Sequence, residues 1–212
     1  MKHLKMLVLA GTAALLAIAV GGGSASATVL CKTTANPCPA ESKLLTGTKV
    51  EGTLPANVPA TFESTDKETI NIWCWESTFS FTTSNTGGAS ETVKASVTKW
   101  SWANCTTAKK MVPLKTGELE IHYLEGTGTG TLTGKNMEFT AESVLGSDCV
   151  YGTKGGTVHL GVTREPGALE TKSQIEINAV FGKVSGSLCP EDARIGGRYI
   201  VNTPVPLYVA GS

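Results

Sequence analysis

Apolar and polar residues alternate with a period of two along most of this chain, in short stretches punctuated by glycine. Successive side chains of a strand point to opposite faces, so this period marks half-buried β-strands and excludes a helical core. Gln174 to Phe181 sets Ile175, Ile177, Ala179 and Phe181 on one side, and Glu118 to Glu125 does the same with Leu119, Ile121 and Tyr123. Thr46–Leu54, Thr69–Thr82, Glu91–Trp102, Gly130–Leu132, Met137–Ala141, Asp148–Tyr151, Thr157–Thr163, Tyr199–Asn202 and Leu207–Val209 are further strand candidates. Ser84 to Gly88, Gly134-Lys135-Asn136 and Gly152 to Gly156 between them read as hairpin turns. Pro39 to Ser42 and Pro190 to Ala193 each suit one helical turn, with proline tolerated at its start. About ten short strands with short connections predict an all-β, antiparallel β-sandwich, jelly-roll or immunoglobulin-like, with a closed β-barrel as the alternative.

The N-terminus reads differently. Lys2 and Lys5 precede an uncharged apolar run from Met6 to Val20, and Ala25-Ser26-Ala27 supplies small residues beyond a glycine break. These are the three parts of a secretory signal, expected to be removed after Ala27, and the run falls short of the roughly 20 residues that span a bilayer. A membrane anchor is the rival reading, and a lipoprotein reading would lipidate Cys31. Leu30 is bulky where lipoprotein processing expects a small residue. The expected product is a single β-domain over residues 28–212, secreted, extracellular or surface-associated, with no membrane span. It retains 16 Lys+Arg against 18 Asp+Glu, a net charge near −2. That balance offers no basic footprint for nucleic acid.

All six cysteines, Cys31, Cys38, Cys74, Cys105, Cys149 and Cys189, follow the signal. An even count in an exported chain predicts three disulfides. A zinc site is the alternative, but there is no C-x-x-C and only His122 and His159 remain after cleavage. No metal or other cofactor is expected. Six cysteines allow fifteen connectivities; order along the chain suggests Cys31–Cys38, Cys74–Cys105 and Cys149–Cys189.

Trp73-Cys74-Trp75 and Trp100-Ser101-Trp102 are the most informative pairs. Period two places Trp73 and Trp75 opposite Ile70, Ile72 and Cys74, and Trp100 and Trp102 opposite Val93, Ala95 and Val97. In both strands the tryptophans share the polar face. A hairpin about Asn85 to Ser90 would then gather Trp73, Trp75, Trp100 and Trp102 into one outward surface, suited to stacking on sugar rings. Packing beneath another strand is the competing account. A one-residue bulge between Val97 and Trp100 would move the second pair onto the aliphatic face. The same register conflicts with one bridge. It puts Cys74 opposite Lys99, about 20 Å along the strand from Cys105. Either that register or the Cys74–Cys105 bond is wrong.

No catalytic residue is assigned. Glu118 and Glu120 share a strand face, with Glu125, Glu138 and Glu142 near in sequence, but alternating Glu and Thr opposite aliphatic residues describes a solvated sheet. His122 and His159 lack a G-x-S-x-G serine, and Gly126 to Gly130 lacks the Gly-Lys-Ser/Thr of a phosphate loop. Asn104-Cys105-Thr106 matches a glycosylation sequon, which matters only in a eukaryotic host.

Leu30-Cys31 with Pro37-Cys38-Pro39, Thr78-Phe79-Ser80-Phe81 with Asn85-Thr86-Gly87, and Asn104-Cys105 resemble uncharacterised secreted proteins of soil actinobacteria. The resemblance covers most of the chain after the signal. It implies export and a disulfide frame and transfers no functional residue. The expected function is that of a non-enzymatic extracellular or surface-associated β-domain, whose candidate partners are a glycan or a cell-surface component. A carbohydrate-binding module using the tryptophans is the first alternative, and a small secreted hydrolase the second.

Overall fold

In a computed structural model of the protein, the described residues are 27–64, 70–106, 111–125, 129–142, 146–153, 158–162 and 173–212, with side chains described outside 158–162. The expected signal peptide lies outside them except for Ala27, as do residues 126–128 of the glycine-rich segment and the His159 side chain. Among the described residues no helix is long and apolar enough to cross a membrane.

The chain is all-β and antiparallel. Among the described residues the strands are β1 (Thr28–Cys31), β2 (Lys49–Thr53), β3 (Ala60–Ser64), β4 (Asn71–Thr83), β5 (Gly87–Gly88), β6 (Val93–Cys105), β7 (Met111–Lys115), β8 (Glu118–Leu124), β9 (Thr129–Lys135), β10 (Glu138–Glu142), β11 (Asp148–Gly152), β12 (Val158–Val162), β13 (Gln174–Ser185), β14 (Asp192–Thr203) and β15 (Tyr208–Ala210). A 3-10 turn at Ala40–Ser42 follows Pro39 as expected. The helical turn expected at Pro190 to Ala193 does not form, because Asp192 and Ala193 already pair with Gly182 and Phe181.

Four strands of 12 or 13 residues, β4, β6, β13 and β14, organise the large sheet. β2 and β3 lie end to end as one interrupted strand, each paired with β14 on one side and β4 on the other. From β4 the order runs β6, β8, β9, β12 and β13, and β13 pairs back onto β14. The sheet thus folds over on itself and packs its inner faces together, sandwich fashion. A second branch leaves β13 through β11 and β10 to β7. That branch departs from a single closed barrel.

Two expected hairpins are replaced by crossings between branches. β9 pairs with β8 and β12, while β10 pairs with β11 and β7, so Gly134-Lys135-Asn136 carries the chain from one branch to the other. Residues 154–156 of the expected turn at Gly152 to Gly156 lie outside the described residues, but the strands on either side, β11 and β12, each pair with β13 rather than with each other. One apolar core fills both branches. Phe62, Phe79, Phe139, Phe181, Trp100 and Tyr151 form its aromatic centre, with ring centroids 4.7–6.5 Å apart in edge-on, tilted and stacked pairs.

A small sheet, ordered β15-β1-β5, closes one side. Thr28 Oγ1 accepts from the Tyr123 amide at 2.9 Å, tying it to β8. Gly87 is obligatory here: a Cβ on it would sit 1.9 Å from the Thr28 carbonyl oxygen, and its φ is +74°. This contact explains why residues 84–92 are not a tight hairpin, since they reach aside to pair with β1.

The three disulfides are Cys31–Cys38, Cys74–Cys105 and Cys149–Cys189. No described cysteine is free. The conflict over Cys74 resolves in favour of the bridge. Cys74 pairs directly with Cys105, six positions from the Lys99 partner that a tight hairpin implies.

Candidate functional site

The four tryptophans do not share one surface. Trp73 and Trp75 are each 41% exposed, whereas Trp100 is 3% exposed in the core. The cause is a bulge. Ser80 pairs with Lys99 but Phe81 pairs with Val97, so Thr98 is an extra residue in β6. Thr98 and Lys99 are consecutively exposed, and beyond them the inward positions change from odd to even. Trp100 therefore enters the core on the same side as Val93 and Val97, correcting the outward placement. Trp102 follows it, half-buried, with its ring 4.8 Å from Trp100. The Trp100 indole donates to the Tyr199 hydroxyl at 3.1 Å, and Ser77 Oγ lies 2.9 Å from the same hydroxyl. Burial pushes the Tyr199 phenol up, against those hydrogen bonds.

Trp73 and Trp75 do project outward together, and their neighbours hold them. Cys74 between them points inward and is bonded to Cys105. Thr106 returns both backbone partners of Trp73: its amide donates to the Trp73 carbonyl at 2.8 Å, and its Oγ1 accepts from the Trp73 amide at 3.1 Å. The disulfide thus fixes the backbone from which both indoles extend. Past Trp75 the inward face of β4 switches to Ser77, Phe79 and Phe81, at the level where residues 54–59 interrupt the neighbouring strand.

The outer face beside these indoles is assembled by register across four strands. One row runs from Asn178 on β13 to Gly196 on β14, Thr61 on β3 and Trp73 on β4. The next runs Val180, Arg194, Glu63 and Asn71. On the other side of the first row, Glu176 faces Arg198. A groove of about 450 Å³ follows the first row from Asn178 over Gly196 to Thr61, flanked by Arg194 on one side and by Glu176 and Arg198 on the other, and bounded by Val58 and Pro59 of the interruption. Gly196 forms its floor; a Cβ there would stand 2.7 Å from Thr61 Oγ1. Val58 and Val180 are exposed like the two indoles, so apolar side chains border a polar centre.

Sequence reasoning missed Thr61, Glu176, Asn178, Arg194, Gly196 and Arg198. The signal was the two-residue spacing Arg194, Gly196, Arg198, opposite Ala193 and Ile195.

The Glu118 and Glu120 pair lies elsewhere, in a smaller cleft of about 220 Å³ with Lys94 and Lys135. Lys135 Nζ donates to Glu120 at 3.0 Å, and Lys115 pairs with Glu138 at 2.6 Å. These carboxylates face lysines on an outward sheet rather than one another. Among the described residues, no three His, Cys, Asp or Glu side chains gather as a metal site. No protein family, curated protein or solved structure matches the chain.

Proposed function

We propose that this protein is a secreted, non-enzymatic β-domain that binds its partner through the outer face of β13, β14, β3 and β4. The observation that carries the reading is the pair Trp73 and Trp75, large aromatic side chains exposed beside a groove, on a backbone tied to β6 by the bridge from the intervening Cys74 to Cys105. Large aromatic side chains are seldom left in solvent, and tryptophan is prominent among residues that dominate binding energy. Three disulfides fit an oxidising compartment, which supports export. The lysine-paired carboxylates favour binding over hydrolysis.

Co-sedimentation with purified bacterial cell walls tests the binding face. The wild-type chain should pellet, while the Trp73→Ala/Trp75→Ala double variant should stay in the supernatant with an unchanged melting temperature. Equal behaviour of the two proteins would overturn the reading. Intact mass of protein recovered from the medium tests export, with Thr28 expected as its first residue.

A further inference from the structure

We infer that the groove beside Trp73 and Trp75 takes an uncharged oligosaccharide, laid across the strands from β4 towards β13. The inference rests on the binding-face reading above and adds the chemistry of the ligand.

Charge is the deciding observation. The groove's two arginines each face a carboxylate in register: Arg198 opposite Glu176, and Arg194 opposite Glu63. An anionic ligand reaching either guanidinium would also meet a glutamate, and a cationic ligand would meet the reverse. Counted with Glu63, which stands opposite Arg194 just outside the groove's lining, the face sets two guanidinium groups against two carboxylates and offers an ion no net sign. A second protein surface fits poorly as well, because protein interfaces deplete charge at their centre and this face places charge there.

The polar groups that line the groove are of the kind an uncharged polyol needs. Guanidinium, carboxylate and the Asn178 amide each present two positions in one plane, with donors and acceptors both represented. Adjacent ring hydroxyls, each a donor and an acceptor, match such pairs. Gly196 keeps the floor low between Arg194 and Arg198; a Cβ there would stand 2.7 Å from Thr61 Oγ1. Three inter-strand spacings separate β4 from β13, about 14 Å. The groove, of about 450 Å³, is open to solvent along its length, as a chain-like ligand laid across strands requires. The indoles at the β4 end supply an apolar plane for the C–H face of a sugar ring, and their N–H groups reach hydroxyls.

Titration calorimetry with the disulfide-bonded protein tests this. The probes are hexasaccharides of neutral β-linked glucose, N-acetylglucosamine, xylose and mannose, together with a hexagalacturonate and hexapeptides of aspartate and of lysine. Binding of at least one neutral hexasaccharide is expected, weakened about tenfold or more by Trp73→Ala/Trp75→Ala and again by Arg194→Ala, with melting temperatures preserved. Neutral-sugar binding that survives both variants would overturn the placement. Preference for the galacturonate or a peptide, lost in the same variants, would overturn the uncharged ligand and leave the binding face standing. If no probe binds while the double variant still loses cell-wall retention, the glycan inference falls alone. If no probe binds and retention is unchanged, both fall.

Discussion

Tyr199 is where a single side chain carries most. Its hydroxyl is buried between the Trp100 indole and Ser77, and its ring packs 5.9 Å from Phe79. Tyr199→Phe keeps the ring but leaves the Trp100 N–H without its acceptor, so at neutral pH it should cost about 1–3 kcal/mol in denaturant unfolding. The alkaline limb separates this bond from mere packing. The folded phenol titrates above its unfolded value, near pH 10, because burial opposes the phenolate. Its contribution is therefore complete below that pH and is lost as pH rises through the folded value. Stability of the wild type should fall more steeply above pH ~10 than that of Tyr199→Phe, and parallel slopes would contradict the burial argument. The tryptophans make a second contrast. Trp100→Ala should cost about 3–5 kcal/mol, since it empties the aromatic core. Trp73→Ala or Trp75→Ala should leave stability within about 0.5 kcal/mol as an exposed substitution.

At the scale of elements, one inserted residue decides which tryptophans are surface and which are core. Deleting Thr98 would remove the bulge and leave Val97, Lys99 and Trp100 in regular alternation, still opposite Phe81, Ser80 and Phe79. The shortened strand should fold with Cys74–Cys105 intact by disulfide mapping and with buried-tryptophan fluorescence. Deleting Ser101 instead shifts Trp102 and Cys105 against β4, so mis-paired or free thiols should appear. The bulge is also where the sequence was hardest to read. Long alternation revealed β4, β6, β8 and β13, and it placed Trp73 and Trp75 outward. Period two carried through Thr98 put Trp100 on the wrong face, because nothing in Val97-Thr98-Lys99 distinguishes a bulge from a regular strand. β1 escaped notice because all four of its residues are buried and so do not alternate. β7 contains Pro113, and the first half of β14 was obscured by Pro190 and the Gly196-Gly197 pair. The groove was beyond reach for another reason: Thr61, Arg194 and Glu176 meet only through register between strands more than a hundred residues apart in the chain, or joined by a turn.

The whole molecule is larger than the chains that usually unfold in one step, and its sheet has two branches, so stepwise unfolding would be the ordinary expectation. The packing argues otherwise. β13 supplies Ile177 beside β12 and continues to Phe181, whose ring lies 4.7 Å from Phe139 of the second branch, and β6 runs from Val93 opposite β8 to Trp102, whose ring lies 6.3 Å from Phe139 on β10. β4 and β14 likewise continue past both β2 and β3. Releasing either branch exposes half of each of these strands, and with it apolar surface belonging to one continuous core. Burial stabilises by about 25 cal/mol per Å² of apolar area, so exposing those inner faces costs too much for either branch to persist alone. Denaturant unfolding of the oxidised chain should therefore give one midpoint, shared by far-ultraviolet circular dichroism, by the near-ultraviolet aromatic signal of the core and by tryptophan fluorescence. Separated midpoints would mean that the two branches hold their own stability and that the long strands merely connect them.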